Sequence, residues 1–320
     1  MRSVLILGGS GWLGRRVAER ALTDGAEVTC LARGRTGSVP PGARHLAVDR
    51  RKPDAYAAAA GEWDEVVELA HAPDLVEPAL RALAPRAAHW TLVSSVSVYA
   101  SSREPGADES AALVEPTDPS DYADAKVLAE RMSAAALGDR LLAVRPGLIV
   151  GPGDPSDRFG YWPARLRRGG AVLAPRTEGR SVQVIDVDDL ADWIVRAGPD
   201  GAAGPVNAVG RSHPLDAFLR VVAEATGFDG ALVHAPDEEL LARDVRYWAG
   251  PRSLPLWLPS SETGFTTRSG DAFRRSGGAP RPLEETVVRV LDDEVRRGIG
   301  RERRSGLRPS DEIDVIRSLA

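Results

Sequence analysis

Along the first hundred residues, short apolar-rich runs, the first of them unbroken, alternate with stretches whose apolar positions recur every three or four residues. The runs cover residues 4–7, 26–32, 45–48, 65–70 and 90–93. Each is too short for a helix and suits a strand buried on both faces of a parallel sheet. After the first run, Leu13, Val17, Ala18, Ala21 and Leu22 keep a helical period up to Asp24-Gly25. Further helices are expected at residues 56–61 and 75–83. Strands and helices in strict alternation predict an α/β, Rossmann-type doubly wound parallel sheet.

A polar, proline-rich loop follows at residues 101–119, and a helix opens at residues 121–126. Residues 153–170 read as a loop entering a short helix. Residues 181–187 read as a sixth strand, with Asp188 or Asp189 capping a helix over 190–197. Residues 204–209 return to the sheet. Helices are expected at 214–226, 238–243 and 283–291, and a strand at 231–235. Residues 247–259 have no steady period, and Trp248, Leu254, Leu256, Trp257 and Leu258 could line a pocket or plug a core, the core being expected. Residues 296–308 hold six arginines and read as a solvated helical tail. The predicted organisation is a dinucleotide-binding domain over 1–152 with a returning segment 181–210. A smaller substrate domain takes 153–180 and 211–320.

Composition narrows the class. Of 320 residues, 43% are hydrophobic and 27% charged, as in an ordinary globular protein. The formal net charge of -5 argues against a nucleic-acid partner. A single cysteine, Cys30, excludes an intrachain disulfide and suits the cytoplasm. The first apolar run is four residues long and leads into glycines, unlike a signal peptide. No run of about 18 apolar residues exists, so no membrane span is expected. A small-molecule substrate is the expected partner, and no metal is called for.

The chemistry starts at the first strand's end. Gly8, Gly11 and Gly14 stand three apart between a strand and a helix. Such a turn aims bare N–H groups and the positive end of a helix at one point, which suits a phosphate. Gly8 allows the turn, Gly11 the approach of a pyrophosphate, and Gly14 close helix packing. The second strand ends at Ala32, where an NAD site would carry an acid. Arg33 and Arg35 follow instead and suit a 2′-phosphate, so NADP is expected over NAD. Asp49 closes the third strand and could meet an adenine amino group, or serve a turn. Further on, Tyr122 and Lys126 stand four apart on one helix face. An ammonium beside a phenol lowers the phenol's pKa toward the working pH, and a serine hydroxyl nearby could hold a substrate oxygen. Ser94 and Ser95 lie at a strand's carboxyl end, where ligands of such sheets bind. In the loop after residue 152, Arg158 or Arg165 could meet an anionic group.

Five motifs in order carry a resemblance: G-G-S-G-W-L-G from Gly8, S-S-V-S-V-Y from Ser94, Y-A-D-A-K from Tyr122, R-P-G-L-I-V-G-P from Arg145 and V-I-D-V-D-D-L-A from Val184. The chain resembles the short-chain dehydrogenase/reductase superfamily in its extended, epimerase/dehydratase-like branch. That resemblance implies Ser95 as the catalytic hydroxyl, Tyr122 as acid/base and Lys126 as its partner and a ribose ligand. It adds Trp12 and Leu13 to the phosphate turn and sets Pro146-Gly147 beside the nicotinamide.

Departures from the family pattern shape the expectation. The segment from Ala70 to His89 is short and holds no Asn, which puts the family's usual dimer in doubt and points to a monomer or a non-standard dimer. Ser95 is followed by Val96 and Ser97 rather than by two acids, which disfavours sugar dehydration. The expected activity is an NADP-dependent reductase or dehydrogenase of a small polar metabolite. Hydride would pass between nicotinamide and the carbonyl carbon, with Ser-Tyr-Lys catalysis. The alternatives are a nucleotide-sugar epimerase using the same residues and a non-catalytic NADP-binding or RNA-associated protein.

Overall fold

The structure is a computed structural model, and it describes residues 1–35 and 37–319. Seven parallel strands form the main sheet: β1 (Ser3–Leu7), β2 (Glu27–Ala32), β3 (Arg44–Ala47), β4 (Trp63–Glu68), β5 (Ala87–Val93), β6 (Leu141–Pro146) and β10 (Gly204–Ala208). Their order is β10-β6-β5-β4-β1-β2-β3. The direction of winding reverses between β1 and β4, so the carboxyl ends of these two strands open a crevice.

Alternation along β1 sorts its side chains to two faces. Val4 and Ile6 pack with α1 (Trp12–Thr23) and α5 (Val187–Ala197). Leu5 and Leu7 pack on the other face with α2 (Pro73–Leu83) and α3 (Tyr122–Leu137). Burial on both faces explains why β1 reads as an unbroken apolar run at residues 4–7.

A separate apolar core gathers residues 148–319. It draws on β7 (Leu148–Val150), β8 (Ala171–Pro175), β9 (Ser181–Asp186) and β12 (Ala231–Ala235), and on α4 (Tyr161–Arg167), α6 (Leu215–Thr226), α9 (Leu283–Arg297) and α10 (Pro309–Leu319). Short strands β11 (Ser212–Pro214), β13 (Arg246–Trp248) and β14 (Ser253–Pro255) and helix α7 (Asp237–Ala242) complete it, whereas α8 (Asp271–Arg275) packs Phe273 into the core of the parallel sheet. Leu254, Leu256 and Trp257 plug this core as expected, whereas Trp248 stays partly exposed.

Several expectations need correction. The fourth strand ends at Glu68 rather than at residue 70, because the Glu68 carboxylate accepts the Ala70 N–H at 2.7 Å and turns the chain. The sixth strand of the main sheet is β6. The expected strand at 181–187 is β9, which pairs with β7 and β11 outside that sheet. Asp186, not Asp188 or Asp189, caps α5 by accepting the Asp188 N–H at 2.9 Å. Residues 56–61 hold one 3-10 turn, Ala57–Ala59. The arginine-rich tail is neither helical beyond Arg297 nor free in solvent. Arg301 and Arg303 pair with the buried Glu294, and Arg297 and Arg301 reach the buried Asp157. Glu294 and Asp157 pull these guanidinium groups inward and so fix the end of the chain against the 153–160 loop.

Candidate functional site

The glycine turn sits on the carboxyl end of β1. Gly8 has φ +111, a conformation that suits glycine. A Cβ at Gly14 would stand 2.5 Å from the Gly8 carbonyl and 2.6 Å from Leu69 Cδ1, so only glycine lets α1 seat this closely. Gly11 is the N-cap of α1 and, lacking a side chain, does not cap the helix's first N–H groups; among the described residues no side-chain bond to them is seen. Those N–H groups are therefore available to an anion. Beyond them opens a cleft of about 270 Å³ lined by Gly8, Gly11, Ala32, Arg33, Arg35, Asp49, Arg51 and Ala70, among others. The bare glycine cradle, the open helix end and the arginine-lined rim fit a nicotinamide dinucleotide.

Of the residues expected at the cofactor, Trp12 has its indole elsewhere: its N–H donates to the Pro152 carbonyl at 2.9 Å. That bond ties the phosphate turn to the strand β7 exit. Leu13 packs partly buried against the α1 face of the sheet, and Gly14 serves the packing described above. Pro146 closes β6, with Gly147 just beyond. Arg33 and Arg35 are both exposed on the cleft rim.

Ser95, Tyr122 and Lys126 meet at the carboxyl end of β5. Asp121 caps α3 through the Ala123 and Asp124 N–H groups, which fixes Tyr122 as the first helical residue. The Ser95 hydroxyl borders the Tyr122 phenol and acts on its proton. The Ser95 oxygen also accepts the Ser97 N–H at 3.1 Å and donates to Ser97 Oγ at 3.1 Å. Lys126 is only 4% exposed. Its ammonium donates to the Val93 carbonyl at 2.5 Å and lies 5.8 Å from the centre of the Tyr122 ring.

The electrostatics depart from one expectation. The Tyr122 residue is 48% exposed because it opens a helix, yet its phenol is set among neighbours and burial raises its pKa. The Ser95 hydrogen bond and the Arg158 guanidinium oppose that rise without cancelling it. The phenol is therefore protonated at neutral pH in the protein alone, not lowered toward the working pH. Lys126 is itself pulled down to about 8 by burial, against the carboxylates of Glu68 and Glu130. A lysine so placed has less charge to lend its neighbour than a solvated one.

Three neighbours escaped the reading of motifs. His71 stands edge-on to Tyr122 with ring centres 5.1 Å apart, and burial and Lys126 hold its pKa down. It follows the β4 strand end, so its position at a carboxyl terminus of the sheet was the available signal. Glu68, fully buried, takes a two-pronged grip from Arg50, whose guanidinium also borders the cofactor cleft. No local pattern announces that pair. Trp248 lies under the Arg158 guanidinium, 5.0 Å from ring centre to cation. Of the two arginines considered for an anionic group, Arg165 is excluded. It is buried, paired with Glu312 and bonded to the Gly169 and Ala171 carbonyls. Arg158 remains, and its charge acts on the Tyr122 phenol.

Comparison with known proteins agrees with the geometry. The model of the NAD dependent epimerase/dehydratase family matches residues 4–77 and 74–209. The chain is 29% identical over 308 residues to dTDP-6-deoxy-L-talose 4-dehydrogenase (NAD(P)(+)) of Kitasatospora kifunensis, covering 81% of this chain and 95% of that one. Among solved structures, UDP-glucuronic acid 4-epimerase of Bacillus cereus, in complex with NAD, superposes with a TM-score of 0.68 at 13% identity, over 92% of this chain and 99% of that one. UDP-glucose 4-epimerase of Thermus thermophilus, also in complex with NAD, gives 0.63 at 21%, over 91% and 98%. At these identities the two structures share the fold. The chain belongs to the NAD dependent epimerase/dehydratase family, the extended branch of the short-chain dehydrogenase/reductases, and is an NAD(P)-dependent enzyme of that type. No helix among the described residues is long and apolar enough to cross a membrane.

Proposed function

We propose that this enzyme is an NADP-dependent oxidoreductase that interconverts a carbonyl and an alcohol on a small polar metabolite, of the sugar-linked kind its dehydrogenase relative takes. The observation that carries this is the meeting of Ser95, Tyr122 and Lys126 at one strand end. Ser95 and Tyr122 together present two hydroxyls to one substrate oxygen. In reduction, Tyr122 gives its proton to that oxygen while Ser95 holds it by a hydrogen bond. A phenol kept protonated by burial is in the form that gives a proton, which favours the reductive direction. Lys126, anchored on the Val93 carbonyl, stabilises the phenolate left behind and meets a ribose hydroxyl. When bound, the nicotinamide supplies or takes up the hydride.

The cleft supports NADP over NAD. Ala32 offers no acceptor for a ribose hydroxyl, and Arg33 and Arg35 line the rim where a 2′-phosphate would stand. Asp49 lines the same cleft and suits an adenine amino group. The short α2, eleven residues with Pro78 inside, favours a monomer or a dimer formed through another surface. A screen of sugar-linked ketones and alcohols that follows nicotinamide absorbance tests the function. Turnover of at least one carbonyl–alcohol pair is expected, faster with NADP(H) than with NAD(H). Cofactor binding with no turnover of any such pair would point to a non-catalytic role.

A further inference from the structure

Arginines buried in this protein are matched by partners. Arg50 pairs with Glu68, Arg145 with Glu130 and Arg165 with Glu312. Arg268 lacks a carboxylate but stacks on Tyr99 and donates to the Ser101 carbonyl. Arg158 is different. It is half-buried, and burial lowers its pKa. Among the described residues no carboxylate stands within ion-pair distance of its guanidinium, whose one side-chain bond runs from Nε to Ser156 Oγ at 3.2 Å. A half-buried cation without a counter-ion is costly, and a fold retains one where something supplies the missing charge.

The surroundings hold Arg158 in place, and the buried Asp154 carboxylate attracts it from beyond ion-pair distance. Asp154, buried, accepts the Ser156 N–H at 2.8 Å and the Ser156 hydroxyl at 2.9 Å. Ser156 thereby turns its oxygen to Arg158 Nε. One residue on, Asp157 sits at φ +59 and is gripped by Arg297, Arg301 and the Arg304 N–H. The loop is thus pinned on both sides of Arg158. Trp248 forms the floor beneath the guanidinium, with Phe265 edge-on to it at 5.3 Å. Trp248 adopts φ +67, a strained conformation for a bulky residue, and its N–H is bonded to the Trp257 carbonyl at 2.9 Å. Strain of this kind persists where the surroundings enforce it, often at ligand clamps. The guanidinium held on this floor is near enough to the Tyr122 phenol to act on it through its charge.

We infer that Arg158, stacked on Trp248, binds an anionic oxygen group of the substrate, a carboxylate or a phosphate, and holds it beside the carbon on which Tyr122 acts. This rests on the carbonyl–alcohol function proposed above and narrows its substrate to anions whose charge lies near the reacting carbon. A guanidinium flat on an indole keeps its edge donors free, and two of them match two oxygens of one anion. The nearby charge also offsets the phenolate that forms when Tyr122 gives up its proton.

The test is thermal unfolding of the NADP-loaded protein in chloride, inorganic phosphate or glycolate at matched ionic strength. NADP saturation keeps the cofactor's own phosphate positions occupied. Relative to chloride, the wild type is expected to gain about 2 °C in one of the two anions at a concentration about ten times its Kd. A gain in phosphate assigns a phosphoryl group, and a gain in glycolate a carboxylate. Arg158→Gln is expected to lose that gain, with affinity weaker by about tenfold or more. In chloride it is expected to melt no lower than wild type, because it removes an unpaired charge. Arg158→Lys keeps the charge without the fork and should retain a reduced gain. Equal gains in wild type and Arg158→Gln, no gain in either anion, or a lower melting point of Arg158→Gln in chloride would each overturn the inference. Tyr122→Phe, which removes the proton transfer, leaves the anion-linked gain in place, so the substrate anchor and the catalytic role fail separately.

Discussion

The proposed preference for NADP(H) rests on two arginines at the exit of β2. Arg33 and Arg35 are exposed on the rim, where water and salt weaken any single contact. A 2′-phosphate met by one or two forked donors in that setting gives a preference of about tenfold to a hundredfold. Arg33→Ala should weaken NADP(H) binding by most of that factor and leave NAD(H) almost unchanged. Titration of both cofactors against both proteins measures it. Equal losses for the two cofactors would make Arg33 a general contact of the cleft, and no loss for either would make it a solvated loop residue. The same scale shows what motif spacing conceals. Tyr122 and Lys126 are four apart, and the structure brings them together as that spacing predicts. The spacing says nothing of how deep they lie, and depth sets their chemistry: burial leaves the phenol protonated and draws the lysine down to about 8.

At the scale of elements, strands β4 and β5 are locked to the α5–β10 connection by one imidazole. His89 Nδ1 bonds the Glu65 carboxylate at 2.7 Å, and Nε2 bonds the Ala202 carbonyl at 2.8 Å. Both partners are acceptors, so both nitrogens carry protons and the ring is charged. Burial opposes that charge, but Glu65 and the carbonyl outweigh it and the pKa is raised. A raised histidine pKa stabilises the fold below the ordinary imidazole value of about 6.5, and that contribution fades as pH rises through the raised value. His89→Gln should therefore lose most stability near pH 6 and progressively less at higher pH. Urea unfolding across that range tests this, and a gap independent of pH would contradict the charged pairing. The elements themselves were largely legible in the sequence. Strands β1, β2, β5 and β10 and helices α1, α3 and α6 follow from apolar period and turn residues. What period could not carry was pairing at a distance. Residues 181–187 look like any other strand, but β9 joins β7 and β11 instead of the main sheet. The arginine-rich tail looks solvated until Glu294 and Asp157 are found beneath it.

The whole molecule sets one crevice between two cores. The parallel sheet contributes the glycine turn, the cofactor cleft and the Ser95, Tyr122 and Lys126 cluster. The segment beyond residue 148 contributes Trp248 and Arg158, whose charge acts on the same phenol. Ser95, Tyr122 and Lys126 were readable because each sits in a compact local motif. His71 was not, because only the fold carries it to Tyr122 from a separate segment. The central claim is that Tyr122 transfers a proton during hydride exchange with a carbonyl–alcohol substrate. The direct measurement is turnover of dTDP-6-deoxy-L-talose, or of the best pair from the screen, by wild type and Tyr122→Phe at equal NADP(H) saturation. The phenyl ring keeps the packing against His71 and removes only the hydroxyl. A fall in kcat of about a hundredfold or more, with cofactor affinity within about twofold of wild type, is the predicted result. A variant that turns over at near wild-type rate would contradict the account.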